Sequence, residues 1–143
     1  MPEERTLSTL LRVAGLAQIV LILGSVGIPL VLNWKEGLAP LSKLTRQMFL
    51  VYSLYIWITN LCFGVLSLLA PGHLLDGSVL AACVTGFILG YWLLRMVIQW
   101  SYFDISELPS TRLHVAARWS LEVLFTALTV VYALAFTHNL GIT

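Results

Sequence analysis

Residues 79–103 read VLAACVTGFILGYWLLRMVIQWSYF, and Arg95 is the only charged residue among them. At ~1.5 Å rise per residue, such a helix outlasts the ~30 Å hydrocarbon core of a bilayer. The stretch therefore reads as a membrane span carrying a buried guanidinium. It also has two faces. Ala82, Gly86 and Gly90 form a small-xxx-small ladder that lets a neighbouring backbone approach closely. Trp92, Arg95, Gln99 and Tyr102 recur on the opposite side.

The loop that follows, DISELPSTR at residues 104–112, is the most polar stretch of the chain. Beyond it a second apolar run extends from about Leu113 to Phe136. His114, Arg118, Glu122, Phe125, Thr129 and Tyr132 fall in one stripe of that run by the 3.6-residue period. Before the quoted stretch, PGHLLDGS at residues 71–78 is a short turn-rich connection. A third run precedes it, from about Met48 to Leu69. There Tyr52, Tyr55, Thr59 and Phe63 share one face, and Ser53, Asn60 and Ser67 lie on the adjacent one.

The first run extends from about Leu10 to Leu32. Leu11, Ala14, Gln18, Ile22, Ser25 and Pro29 fall on one face, which carries the run's only amide and should look inward. Residues 33–47, NWKEGLAPLSKLTRQ, are too polar to span. The three-residue recurrence of Leu38, Leu41 and Leu44, with Trp34 beside them, fits a short interfacial segment as well as a solvated connection.

Composition agrees with this reading. Of the 143 residues 59% are apolar and 10% charged, and mean hydropathy is +0.90. A soluble domain carries about 25% charged and about 45–50% apolar residues. The fold class expected is an all-α membrane protein, an antiparallel four-helix transmembrane bundle with short loops. Its spans are about 10–32, 48–69, 79–103 and 113–136 in one integral membrane domain over residues 1–143. The acidic start, Met1 to Arg5, lacks the basic lead of a secretory signal, so the first run should stay in the mature protein.

Loops one and three carry Lys35, Lys43, Arg46 and Arg112, whereas the other side carries Arg5 and Arg12. The positive-inside rule puts loops 33–47 and 104–112 in the cytoplasm and both termini outside. A bacterial-type inner membrane is the expected location.

Buried charge costs about 2.5–3.5 kcal/mol at the bilayer centre by insertion scales, so intramembrane arginines seek partners. By helical rise, Arg95 sits about 6 Å from the middle of its run, Arg118 about 10 Å and Glu122 about 4 Å. Glu122 should therefore bind Arg95, Arg118 or both. Asp104 is within reach as a second counter-charge at the interface. The candidate polar site comprises Trp92, Arg95, Gln99, Tyr102, Asp104, His114, Arg118 and Glu122. It has two readings. One is a set of locks between helices. The other is a site for a carboxylate, phosphate or lipid head group, which the planar guanidinium fork suits.

A net charge of +1 gives no basic field for nucleic acid. Phosphate-loop, nucleophile-elbow and HExxH motifs are absent, so the chain reads as non-enzymatic. The two cysteines, Cys62 and Cys83, lack a metal-binding spacing and read as packing residues. His114 stands alone on its side of the membrane, leaving no haem pair within one chain. No metal or cofactor is expected, with a quinone or a lipid the nearest candidates.

Three functional readings follow. The first is a membrane module or subunit, with the bilayer and a second copy or another membrane chain as partners. The second is an oligomeric transporter or channel for an anion or proton-coupled solute. The third is a quinone-linked redox subunit.

Overall fold

The computed structural model describes residues 2–102 and 112–142, with side chains for 4–102 and 115–142. Among the described residues all regular structure is helical. The elements are α1 (Pro2–Ser25), α2 (Ile28–Val31), α3 (Trp34–Gly37), α4 (Lys43–Leu69), α5 (Val79–Ser101) and α6 (Arg112–Asn139). Four helical stretches among the described residues are long and apolar enough to cross a membrane: Glu4–Val31, Lys43–Leu69, Val79–Ser101 and Val115–Asn139. This is the all-helical membrane class, because a helix satisfies its own backbone groups where lipid offers no partner.

The chain forms two compact units, residues 12–69 and residues 1–11 with 70–143. In the first unit α1 and α4 meet backbone to backbone. A Cβ added to Gly15 would lie 2.6 Å from the Gly64 carbonyl oxygen and 2.8 Å from the Leu68 nitrogen. A Cβ on Gly64 would meet the Gly15 carbonyl oxygen and Ile19 Cγ1, each at 3.0 Å. The two glycines thus mark one close crossing of α1 and α4. Around the crossing Ala14, Gln18, Asn60, Phe63 and Ser67 are buried. Gln18 Nε2 donates to the Ala14 carbonyl at 3.3 Å, and Asn60 Nδ2 to the Ile56 carbonyl at 2.8 Å. Each amide thus anchors to its own helix, one turn back.

After α1 the chain bends. Pro29 lies in the single turn of α2, and Asn33 adopts the left-handed conformation at φ 48°. That reversal starts α3, where Asn33 Nδ2 donates to Glu36 Oε2 at 2.6 Å. The Trp34 ring stands edge-on to Phe49 of α4, centroids 4.9 Å apart. Ser42 opens α4, accepting the Thr45 backbone N–H at 3.2 Å.

In the second unit α5 and α6 pack along their length. Paired contacts run Thr85 with Asn139, Gly86 with Phe136, Trp92 with Phe125 and Met96 with Thr126. From Thr85 to Met96 the partners on α6 thus shift from its end toward its middle. The buried faces are Ala81, Ala82, Thr85, Ile88 and Trp92 on one helix and Phe125, Leu128, Tyr132, Ala135 and Asn139 on the other. Both follow the three-and-four spacing of a helical stripe.

The structure departs from the sequence reading in several places. Helix α1 begins at Pro2 rather than near Leu10, and α4 begins at Lys43 rather than Met48. Backbone hydrogen bonding continues a helix through polar residues as readily as through apolar ones. The last apolar run is expected to end near Phe136, yet α6 runs on through Asn139, which is buried. Asn139 Nδ2 donates to the Leu74 carbonyl at 2.8 Å and to Thr85 Oγ1 at 3.3 Å, and its Oδ1 accepts the Gly77 N–H at 3.1 Å. One amide thereby ties the end of α6 to the loop before α5.

Two further details differ. Gly90 faces open space and only Gly86 of the predicted glycine pair packs, its missing Cβ replaced by the Phe136 ring. Cys62 and Cys83 are exposed rather than packed in the core.

Candidate functional site

Arg95 on α5 and Arg118 and Glu122 on α6 lie in the half of α5 toward Tyr102 and the half of α6 toward Arg112. Trp92 is 1% exposed and stacks at a tilt on Phe125, ring centroids 5.5 Å apart. One turn later on α5, the Arg95 guanidinium carbon lies 5.1 Å from the centroid of the same Phe125 ring. Phe125 therefore serves two neighbours, a buried indole and a half-buried cation. A guanidinium over an aromatic face gains from the ring quadrupole, about 0.5–1 kcal/mol at exposed sites and about 2 or more when desolvated.

One turn before Phe125 on α6 lies Glu122. Arg118 Nε donates to Glu122 Oε1 at 2.8 Å, with side-chain exposures of 45% and 11%. The pair follows the i,i+4 spacing that brings two helical side chains together. Helical rise puts Glu122 about 4.5 Å from Phe125 along α6, so the Arg95 contact and the Arg118–Glu122 pair occupy neighbouring levels. Thr126 Oγ1 donates to the Glu122 carbonyl at 2.8 Å and lies 3.7 Å from Met96 Sδ, which places that sulfur against the same turn.

The structure thus brings together Trp92, Arg95, Phe125, Glu122 and Arg118. Gln99 is partly buried on the next turn of α5, and Tyr102 is 81% exposed at its end. Asp104 lies outside the described residues. His114 belongs to the first turn of α6, and its side chain is likewise outside them. Among the described residues no three His, Cys, Asp or Glu side chains stand close enough to hold a metal ion.

Two residues of this architecture escape a reading of sequence. Phe125 is one apolar residue in an apolar helix, and its role as a shared platform depends on where α5 passes. Asn139 is four residues from the end, where polar residues are ordinary. A conserved spacing cannot flag either, but an amide in the last turn of a long apolar helix is a usable signal for a clamp.

At the opposite end of α5, the Asp76 carboxylate accepts the Ser78 backbone N–H at 2.9 Å. Hydrogen bonds from Ser78, its side chain foremost, hold Asp76 below the usual carboxylate range. Ser78 in turn caps α5 by accepting the Ala81 N–H at 3.0 Å.

Comparison with protein-family models, with curated proteins and with solved structures finds no match to this chain. The functional reading rests on the residues themselves.

Proposed function

We propose that this chain is a non-enzymatic integral-membrane module whose α5–α6 pair ends in a cationic, aromatic-backed site for a small anion or a lipid head group. The observation that carries it is the convergence of Arg95 on Phe125, one turn from the Arg118–Glu122 pair. Intramembrane charges are expensive, and their grouping on facing helices marks the place where polarity has a use. Phe125 fixes one guanidinium and Glu122 the other, so both forks are preoriented for a planar anion. As a module of four spans, the chain would work with a second copy or with another membrane chain.

Glu122→Gln tests the reading. It keeps the shape of the side chain and removes its charge, leaving Arg118 with an uncharged partner. The expected loss is about 1–3 kcal/mol in detergent, read from thermal unfolding. If the site takes an anion, bicarbonate or a phosphate ester should stabilise the wild type, and Arg95→Ala should abolish that stabilisation. A wild type indifferent to every anion, with Glu122→Gln equally stable, would leave the cluster as bystander surface. Solute flux in vesicles bearing the wild type, lost in Arg95→Ala, would instead support the transporter reading.

A further inference from the structure

The first unit carries a second cationic feature, separate from the α5–α6 site. Between α2, α3 and the first half of α4 lies an open groove of about 350 Å³. Lys35, Arg46 and Trp34 line it, and Leu50, Leu54 and Trp57 continue the lining along α4, so the basic residues form one end, or mouth, of the stripe. Arg46, Leu50, Leu54 and Trp57 follow one another at four, four and three residues, so they form one stripe of α4. By helical rise the stripe is about 16 Å long.

The charge of the groove is one-sided. No carboxylate lines it, because nearby Glu36 is turned onto Asn33 at 2.6 Å. Among the described residues neither Lys35 nor Arg46 makes an ion pair or a side-chain hydrogen bond. Both cations are exposed, and Trp34 is held in place by Phe49.

Depth decides what such a groove can hold. Helix α4 has 27 residues, about 40 Å of helix against ~30 Å of hydrocarbon. The surplus lets its first turns, with Arg46, stand among the head groups. Leu50, Leu54 and Trp57 then lie progressively deeper in hydrocarbon. Tryptophan at the boundary and basic residues above an apolar track are the pattern of an amphiphile site.

We propose that this groove seats one anionic phospholipid, its phosphate between Lys35 and Arg46 and one acyl chain along Leu50, Leu54 and Trp57. A free phosphate would use the mouth and leave the apolar track empty. A zwitterionic lipid would fill the track and present the mouth with no net charge. Only an anionic lipid matches both halves. The inference requires the chain to be in a membrane and is independent of any ligand at Arg95.

The test uses the full chain, purified in detergent and titrated with dioleoyl phosphatidylglycerol, with dioleoyl phosphatidylcholine and with glycerol 3-phosphate, bound lipid being counted by native mass spectrometry. The wild type should retain phosphatidylglycerol in preference to phosphatidylcholine. The double variant Lys35→Ala/Arg46→Ala should bind it about 30-fold more weakly, two interfacial charges being removed. Lys43→Ala, one helical turn away and outside the groove, should bind as the wild type does. Ser53→Trp fills the track without touching the charges and should also lose the lipid, circular dichroism confirming its helix content. Equal retention of phosphatidylcholine, unchanged binding by the double variant, or displacement by glycerol 3-phosphate as effective as by phosphatidylglycerol would each overturn the proposal.

Discussion

At the scale of single residues, Trp92 is the most instructive side chain. It is buried at 1% exposure, and its Nε1 finds no hydrogen-bond partner among the described residues. A buried donor left in that state costs roughly 1–3 kcal/mol. The ring itself is held by Phe125, so the residue is retained for its shape rather than for its N–H. Trp92→Phe should then be mild, because the lost ring area is offset by removal of the stranded donor. A stability within about 1.5 kcal/mol of the wild type is expected, as for other conservative core exchanges. Trp92→Ala should cost about 3–5 kcal/mol, the penalty for emptying a large aromatic site. Thermal unfolding of both variants in one detergent settles the point. Equal damage from the two would mean that the indole N–H is engaged after all. The sequence placed Trp92 on the polar face of its helix with Arg95. Both side chains touch Phe125, but the same face is buried at Trp92 and half-open at Arg95.

At the scale of helices, close packing depends on glycine, only in part at the glycines a motif suggests. The ladder Ala82, Gly86 and Gly90 contains a true GxxxG, yet Gly90 has nothing within 4 Å of a built Cβ. The intimate contact is between Gly15 and Gly64, single glycines on two different helices. A motif search within one helix cannot find such a crossing, because the information is split between helices whose register only folding sets. The predicted inward face of α1 fares better. Leu11, Ala14 and Gln18 are buried and Ile22, Ser25 and Pro29 only partly so, since helical periodicity is a local property while burial depends on what packs against the face. Opposite signs follow for one substitution. Gly15→Ala should lose about 1–3 kcal/mol, because its Cβ would run into the α4 backbone, which cannot rotate away as a side chain can. Gly90→Ala enters open space and should gain up to about 1 kcal/mol from helix propensity alone. Comparing the two midpoints in one unfolding series separates packing from propensity. If both alanines stabilise, the Gly15–Gly64 approach is not a constraint in the membrane.

At the scale of the whole molecule, four membrane-length helices were legible because hydropathy and length act on each segment alone. The ends of the helices were not, since polar residues such as Lys43 and Arg46 continue α4 without any hydropathy signal. Orientation is the remaining molecular property that sequence addresses, through the placement of basic residues. Lys35, Lys43 and Arg46 stand in α3 and in the first turns of α4, and Arg112 in the first turn of α6. The connection from Ala70 to Ser78 and the residues after Asn139 carry neither lysine nor arginine. Against those four, the far side has Arg5 and Arg12, both within α1. The bias predicts residues 33–47 in the cytoplasm and residues 70–78 outside. The same orientation would put the Lys35–Arg46 groove in the leaflet that carries the negative surface potential, where each basic side chain contributes about 1 kcal/mol toward anionic lipid. Single cysteines make this measurable. With Cys62 and Cys83, both exposed, replaced by serine, His73→Cys should react in intact cells with a membrane-impermeant maleimide. Gly37→Cys should react only after the cells are opened. The reverse pattern would invert the chain, and the groove would then open on the outer leaflet.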